Sequence, residues 1–278
     1  MKSFLGAFLS HRLATVGASI TLTFIVASVA ERVAGPYGAT DADFAALLSP
    51  PSWAHPFGTD SFGRDVLMRV LIGAQVSFAV SVAGVAFAML VGTTAGLLAA
   101  YRGGIVEFVI MRVADLLFSF PSFVLALFLM VILGFGATNI SIAIALIYVP
   151  IFARLARNLG TLVLHEPWVQ AARLFGQSTR SIITREILPN IAAPLMVQAT
   201  LGIAFGIVIE AGLSFLGLGV QPPRPSLGTI MADGREYFGL APWVITMTGV
   251  AISTVLLGLN LLGDGLRDLT DPKLRGRL

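Results

Sequence analysis

Among side chains that can do chemistry, Glu210 stands apart: it is the one carboxylate set at mid to outer depth within a long apolar stretch, 191–215. A carboxylate in such a setting is costly to bury and marks an ion path, a proton relay or a polar helix contact. It shares a four-residue spacing with Gly202, Gly206 and Ser214, so all four fall on one ridge of a helix. Two readings follow. Glu210 and Ser214 face a pathway or gate near the outer surface, or they hydrogen-bond within a close helix contact that the glycines permit. A single carboxylate supplies no relay, which tells against an ion-coupled transporter or channel. Arg112 and Asp115, three apart, are placed to pair with each other or with lipid headgroups.

Other chemistries lack their residues. With no cysteine among the 278 residues, disulfides and thiolate sites are excluded. His11, His55 and His165 are dispersed, and His165-Glu166 lacks the second histidine of a zinc-protease helix. A phosphate-binding loop needs a lysine after a glycine-rich turn. The only lysines, Lys2 and Lys273, follow none, so this chain is expected to bind no nucleotide, metal or other cofactor and to catalyse no reaction.

The elements that position these residues are membrane helices. Hydrophobic residues make up 56% of the chain and charged ones only 12%, about half the charge of a soluble domain. Net charge is +3, but the basic residues form no patch, so nucleic acid is not a partner. About 20 apolar residues are needed to span the hydrocarbon. Six stretches qualify: 14–30, 76–100, 111–133, 140–158, 191–215 and 241–262. Of eighteen Lys and Arg, five (Arg32, Arg64, Arg69, Arg224 and Arg235) fall outside if the N-terminus is inside, and thirteen fall inside. The positive-inside rule therefore predicts both termini in the cytoplasm. Lys2, Phe4, Leu5, Phe8, Leu9 and Arg12 suggest an interfacial amphipathic helix before the first span. Segments 35–69 and 221–238, rich in Asp and Pro, are expected outside as ordered turns.

Two patterns concern partners. Gly84, Ala88, Gly92, Gly96 and Ala100 recur every four residues in the second span. Such a ridge marks a close helix–helix contact, in this chain or with another subunit. The inner loop 165–190, HEPWVQAARLFGQSTRSIITREILPN, predicts two short helices. Pro167 suits the first position of one helix and Gly176 its left-handed end. Ser178 or Thr179 caps the next helix, which is expected to stop before Pro189.

Gln170-Ala171-Ala172, Gly176 and Leu188-Pro189 resemble the EAA loop of ABC-importer permeases, with Gln170 where that family carries Glu. HPFGTDSFGRDVLMRVLIGAQVSF, MRVADLLFSFPSF, EAGLSFLGLGVQPPRPSLG and NLLGDGLRDLTDP are similar to the matching segments of dipeptide/oligopeptide/nickel permeases of the C type, with Gln75 in place of Arg. The resemblance implies an all-α type I permease with six transmembrane helices, both termini inside, and a cytoplasmic coupling helix. Its expected organisation is an N-terminal helix, first span and external segment over 1–73, a permease core over 74–264 and a tail over 265–278. It further implies a B-type permease partner, two ATPase subunits or domains carrying ATP and Mg, and an external solute-binding protein. The setting would be the inner membrane and its lipid, and the cargo peptides, with nickel, glutathione or opine-like ligands as alternatives.

Overall fold

The computed structural model describes residues 6, 8–9, 11–34, 38 and 40–270, with backbone alone for 31–34 and 270. Lys2, Phe4 and Leu5 of the expected interfacial helix lie outside the described residues, as does the tail from 271. The described chain folds into helices α1 (Arg12–Ala34), α2 (Val66–Arg102), α3 (Gly104–Phe118), α4 (Ser122–Leu133), α5 (Ala137–Leu164) and α6 (Pro167–Leu174). These continue into α7 (Thr179–Phe215), α8 (Leu227–Arg235) and α9 (Pro242–Thr270). Segment 40–65 is irregular, with one isolated bridge between Thr59 and Asp65.

Helices α1, α2, α5, α7 and α9 are each long and apolar enough to cross a bilayer, and α3 with α4 make a sixth if the bent pair counts as one span. That sixth is not the straight span expected over 111–133. The two helices meet at 90°. Pro121 has no N–H to continue α3 and disfavours helical geometry at Phe120, so the chain breaks there and restarts at Ser122. At the other end of α3, the turn from α2 uses Gly103 and Gly104 in succession, both at positive φ.

Helix α2 has 37 residues and begins at Val66, ten residues before its apolar run. The Asp65 carboxylate caps it, accepting from the Met68 N–H at 2.8 Å. At about 1.5 Å per residue it is roughly 55 Å long, longer than the hydrocarbon is thick. Its N-terminal end, the outer end on the topology expected from the sequence, meets segment 40–65, and its C-terminal end, the inner one on that topology, meets the loop after α5.

The small-residue ridge of α2 lies against α5 of the same chain. A Cβ at Gly92 would stand 2.4 Å from the Val149 carbonyl oxygen, and one at Gly96 2.2 Å from that of Ala153. At Gly84 the distance to the Ser141 oxygen would be 2.7 Å, and Ala88 is fully buried. Backbones this close gain dispersion contact that larger side chains would forbid. Around this seam Val85, Met130, Ile144, Phe152, Leu195 and Leu213 form one core. Val70, Ile207, Ile230, Val244 and Leu259 form a second, where α2, α7, α8 and α9 meet.

The helix after Gly176 does not stop before Pro189. It runs on into the fifth span as α7, through a π-helical stretch at Ile182–Ile187. The Pro189 ring would collide with the carbonyl of Arg185, four residues back. Widening the preceding turn by one residue relieves that collision without ending the helix.

Candidate coupling surface and buried polar sites

At the inner end α5 stops at Leu164 and α6 begins with Pro167 in its first turn. Val169 and Ala172 turn inward and are buried, while Ala171 is half-buried. The exposed Gln170 folds back, its Nε2 donating to the Leu164 carbonyl at 2.7 Å. The helix ends as a Schellman motif: the Gln177 N–H donates to Ala172 at 3.1 Å and the Gly176 N–H to Arg173 at 3.0 Å. Gly176 sits at φ +75°, and a Cβ placed there would meet nothing within 4 Å, so only backbone conformation opposes a larger residue.

Beside this turn Leu174 is 89% exposed and Phe175 88%. With half-exposed Trp168 they form an apolar pad on an otherwise polar loop. Sequence reasoning did not single out this pad; its signal is two large apolar residues directly before the terminating glycine. The loop is tied back to α2. The Thr179 hydroxyl donates to Tyr101 Oη at 3.1 Å, and the Arg173 guanidinium lies 4.8 Å from the centre of the Tyr101 ring. Gln170, Ala171, Ala172 and Gly176 thus share one hairpin. Leu188 and Pro189 stand apart from it, beyond the π-helical stretch of α7.

Toward the outer end, Glu210 is fully buried and Ser214 is 1% exposed. Ser214 Oγ donates to Glu210 Oε1 at 2.7 Å and accepts from the Val220 N–H at 3.2 Å. Among the described residues Glu210 Oε2 has no partner in good hydrogen-bond geometry, although the Ser77 and Ser226 side chains also interact with the carboxylate. The start of α8 closes over this turn: a Cβ at Gly228 would stand 2.2 Å from the Ala211 oxygen. From α2, Ser77 Oγ accepts from the Leu227 N–H at 3.3 Å. Gly202 and Gly206 carry the same ridge onto α2, facing Val85 and Ser81. The carboxylate therefore sits at the meeting of α2, α7 and the N-terminus of α8, whose dipole favours negative charge.

A second polar cluster at this end is built mainly from the segment HPFGTDSFGRDVLMRVLIGAQVSF, whose charged residues have no role assigned from the sequence. Asp60, 2% exposed, accepts from Arg64 Nε at 2.7 Å and also from Arg69 Nη1. Arg69 Nη2 reaches Asp233 of α8 at 2.9 Å, and His55 Nδ1 lies 2.8 Å from Asp65. The Trp243 indole of α9 donates to the Thr59 carbonyl at 3.1 Å. Segment 40–65, α2, α8 and α9 are thereby joined into one outer cap. Gln75 Nε2, where the resembling family carries Arg, donates to the Ser28 carbonyl of α1. The three histidines have separate partners: His11 with Asp268, His55 with Asp65, His165 with the Thr161 carbonyl. Asp115 pairs with Arg112 at 3.7 Å as expected, and also with Arg154 of α5.

Apolar helices of bilayer length, polar clusters at both ends and an exposed hairpin define a multi-span membrane protein. The chain belongs to the binding-protein-dependent transport system inner membrane component family, whose model matches residues 92–276. It is a non-catalytic permease subunit of the inner membrane. It is 40% identical over 265 residues to the dipeptide transport system permease protein DppC of Alkalihalophilus pseudofirmus, covering 95% of this chain and 87% of that one. It is also 40% identical over 271 residues to the glutathione transport system permease protein GsiD of Escherichia coli, covering 97% and 89%. The di/tripeptide transport system permease protein DppC of Pseudomonas aeruginosa is 38% identical over 281 residues, with 99% and 93% covered. Among solved structures, the inward-facing MetNI methionine ABC transporter has a chain that superposes with a TM-score of 0.59 at 20% identity. The match covers 74% of this chain and 98% of that one, a likeness of fold.

Proposed function

We propose that this chain is one half of the translocation pathway of an ATP-driven peptide importer. Its other half is a B-type permease, its energy comes from two ATPase subunits or domains that carry ATP and Mg, and an external solute-binding protein delivers the cargo. Both termini lie in the cytoplasm. The permease core extends over 74–264, preceded by an anchoring region at 1–73 and followed by a tail at 265–278. The observation that carries this reading is the hairpin at Gly176. Leu174 and Phe175 stand almost fully exposed beside a rigid left-handed turn at the inner end, the arrangement of a surface completed by another chain.

Gln170, Ala171, Ala172 and Gly176 form the docking element, and Leu188 and Pro189 pass its movement along α7. Glu210 and Ser214 hold the outer gate by tying α7 to the start of α8. Peptides are favoured as cargo because two of the three relatives described above are named for dipeptide or di/tripeptide transport. Glutathione, itself a tripeptide, lies within the same chemistry.

The test is a paired measurement on the importer reconstituted in proteoliposomes: uptake of a labelled dipeptide, and binding of the ATPase subunits. Replacing the pad with Leu174→Ser and Phe175→Ser should weaken ATPase binding about tenfold, roughly 1.4 kcal/mol, while the chain still inserts. Wild-type binding and uptake by this variant would remove the hairpin as the coupling element.

A further inference from the structure

Helices α3 and α5 enclose a groove of about 560 Å³ toward the inner end, lined by charged side chains that belong to neither the hairpin nor the outer cap. Arg157 Nε donates to Glu107 Oε1 at 2.7 Å, and Arg154 pairs with Asp115, which also takes Arg112. Aromatic rings back these guanidinium groups: Phe118 lies 4.2 Å from Arg154 and Phe108 5.0 Å from Arg112.

The depth and direction of this groove exclude a lipid-facing role. Asp115 lies about 16 Å along α3 from its start and Arg154 about 15 Å back from the end of α5, so the pairs match in level. On the same turns of α3, the opposite face exposes Val109 (52%) and Val113 (54%). A helix that presents valines to hydrocarbon on one side cannot cheaply present half-exposed ion pairs to it on the other. The charged face must meet water or a polar partner. On α5 the same stripe continues inward: Asn158 accepts from Arg157 at 3.0 Å, and the Thr161 carbonyl takes the His165 ring at 2.7 Å. It ends where the coupling hairpin begins.

We propose that this groove is the inner mouth of the translocation path, an ion-paired gate that recognises the free carboxylate of a peptide. The proposal rests on the peptide-importer reading above and extends it to named residues. Among the described residues three arginines meet two carboxylates, so the groove holds one guanidinium in excess. A substrate carboxylate replaces Asp115 on Arg154 as it passes, opening the α3–α5 contact. The stripe on α5 joins that contact to the hairpin, so movement of the hairpin on ATP binding re-forms the pairs behind the substrate.

The test uses the reconstituted importer and exploits the absence of cysteine from this chain. Met111→Cys puts a thiol in the groove and Val109→Cys puts one on the apolar face, with Asn158→Cys as a second groove position should Met111→Cys not assemble. A charged, membrane-impermeant methanethiosulfonate supplied on the ATPase side should label the groove position at least tenfold faster than Val109→Cys without nucleotide. Trapping the ATP-bound state should slow that labelling at least tenfold. A groove cysteine as inert as Val109→Cys in both states, or one labelled equally in both, overturns the gate.

The carboxylate is tested separately. Arg154→Gln should abolish the preference for a dipeptide over its C-terminally amidated form, and Arg154→Lys should retain it. An unchanged preference in Arg154→Gln overturns the recognition. State-dependent labelling of Met111→Cys, with no peptide uptake by wild-type vesicles, would remove the peptide assignment and leave the gate. Peptide uptake alongside an inert groove would remove the gate alone.

Discussion

At the outer end Asp60, Arg64, Asp65 and Arg69 take their partners from within the chain, whereas at the inner end Leu174 and Phe175 stand almost fully exposed among the described residues. The glycines repeat the contrast. Gly63 lies in the outer cap at φ +72°, and a Cβ there would stand 1.9 Å from the Asp43 oxygen. Gly176 has nearly the same φ and open space around it. One end is a finished surface, held by the chain's own charges and packing. The other ends in a left-handed turn with large apolar side chains uncovered, the face on which the proposed ATPase subunit would dock.

The largest effect is expected from opening the outer cap. Arg69→Met leaves Asp60 buried with one guanidinium fewer, at a cost of about 3–5 kcal/mol. Thermal unfolding in detergent should show it as a lower midpoint and less folded protein. An unchanged midpoint would mean that the cap is held by packing alone.

The paired glycine substitutions sharpen the contrast further. Gly63→Val and Gly176→Val meet the same dihedral penalty, on the order of 1–2 kcal/mol, but only Gly63→Val also collides with backbone. It should unfold at a clearly lower temperature than Gly176→Val. Gly176→Val should remain folded and inserted, yet lose substrate-stimulated ATP hydrolysis in the assembled importer. Equal losses of stability would erase the distinction between the two ends.

The smallest effect is expected at Gln170. Gln170→Glu changes charge with little change of shape but forfeits the donor to Leu164, worth about 1 kcal/mol. Peptide uptake should stay within about twofold of wild type, the donor's loss being softened by solvent at this exposed position. A tenfold fall would show that the amide, and not only the hairpin's shape, matters for docking.

How much of the molecule is legible in its sequence follows from the range of each interaction. Helical spans, the Gly176 turn and the four-residue ridge are local patterns, set by periodicity and by single residues with special backbone preferences. The 90° break at Pro121 is hidden because three residues barely alter the hydropathy of a long apolar run. The π-helical stretch escapes because Pro189 ordinarily ends a helix, whereas tertiary packing carries α7 past it. Arg69 and Asp233 are 164 residues apart, and no local pattern announces such a pair. Sequence alone assigns Arg69 a side of the membrane and a family-like segment, but no partner. The setting of Glu210 among α2, α7 and α8 likewise needs the packing of three distant segments.

The length of α2 has a mechanical consequence. It is one unbroken rod with Asp65 and Arg69 at one end and Tyr101 at the other. Pivoted at its inner tip, a rod of about 55 Å swings its far tip by about 5 Å for a tilt of roughly 5°. That is about the height of one helical turn, enough to carry Arg69 out of register with Asp233. Leverage of this kind would let a small displacement under Tyr101 be read on the opposite face of the membrane, with no relay of side-chain rearrangements between them.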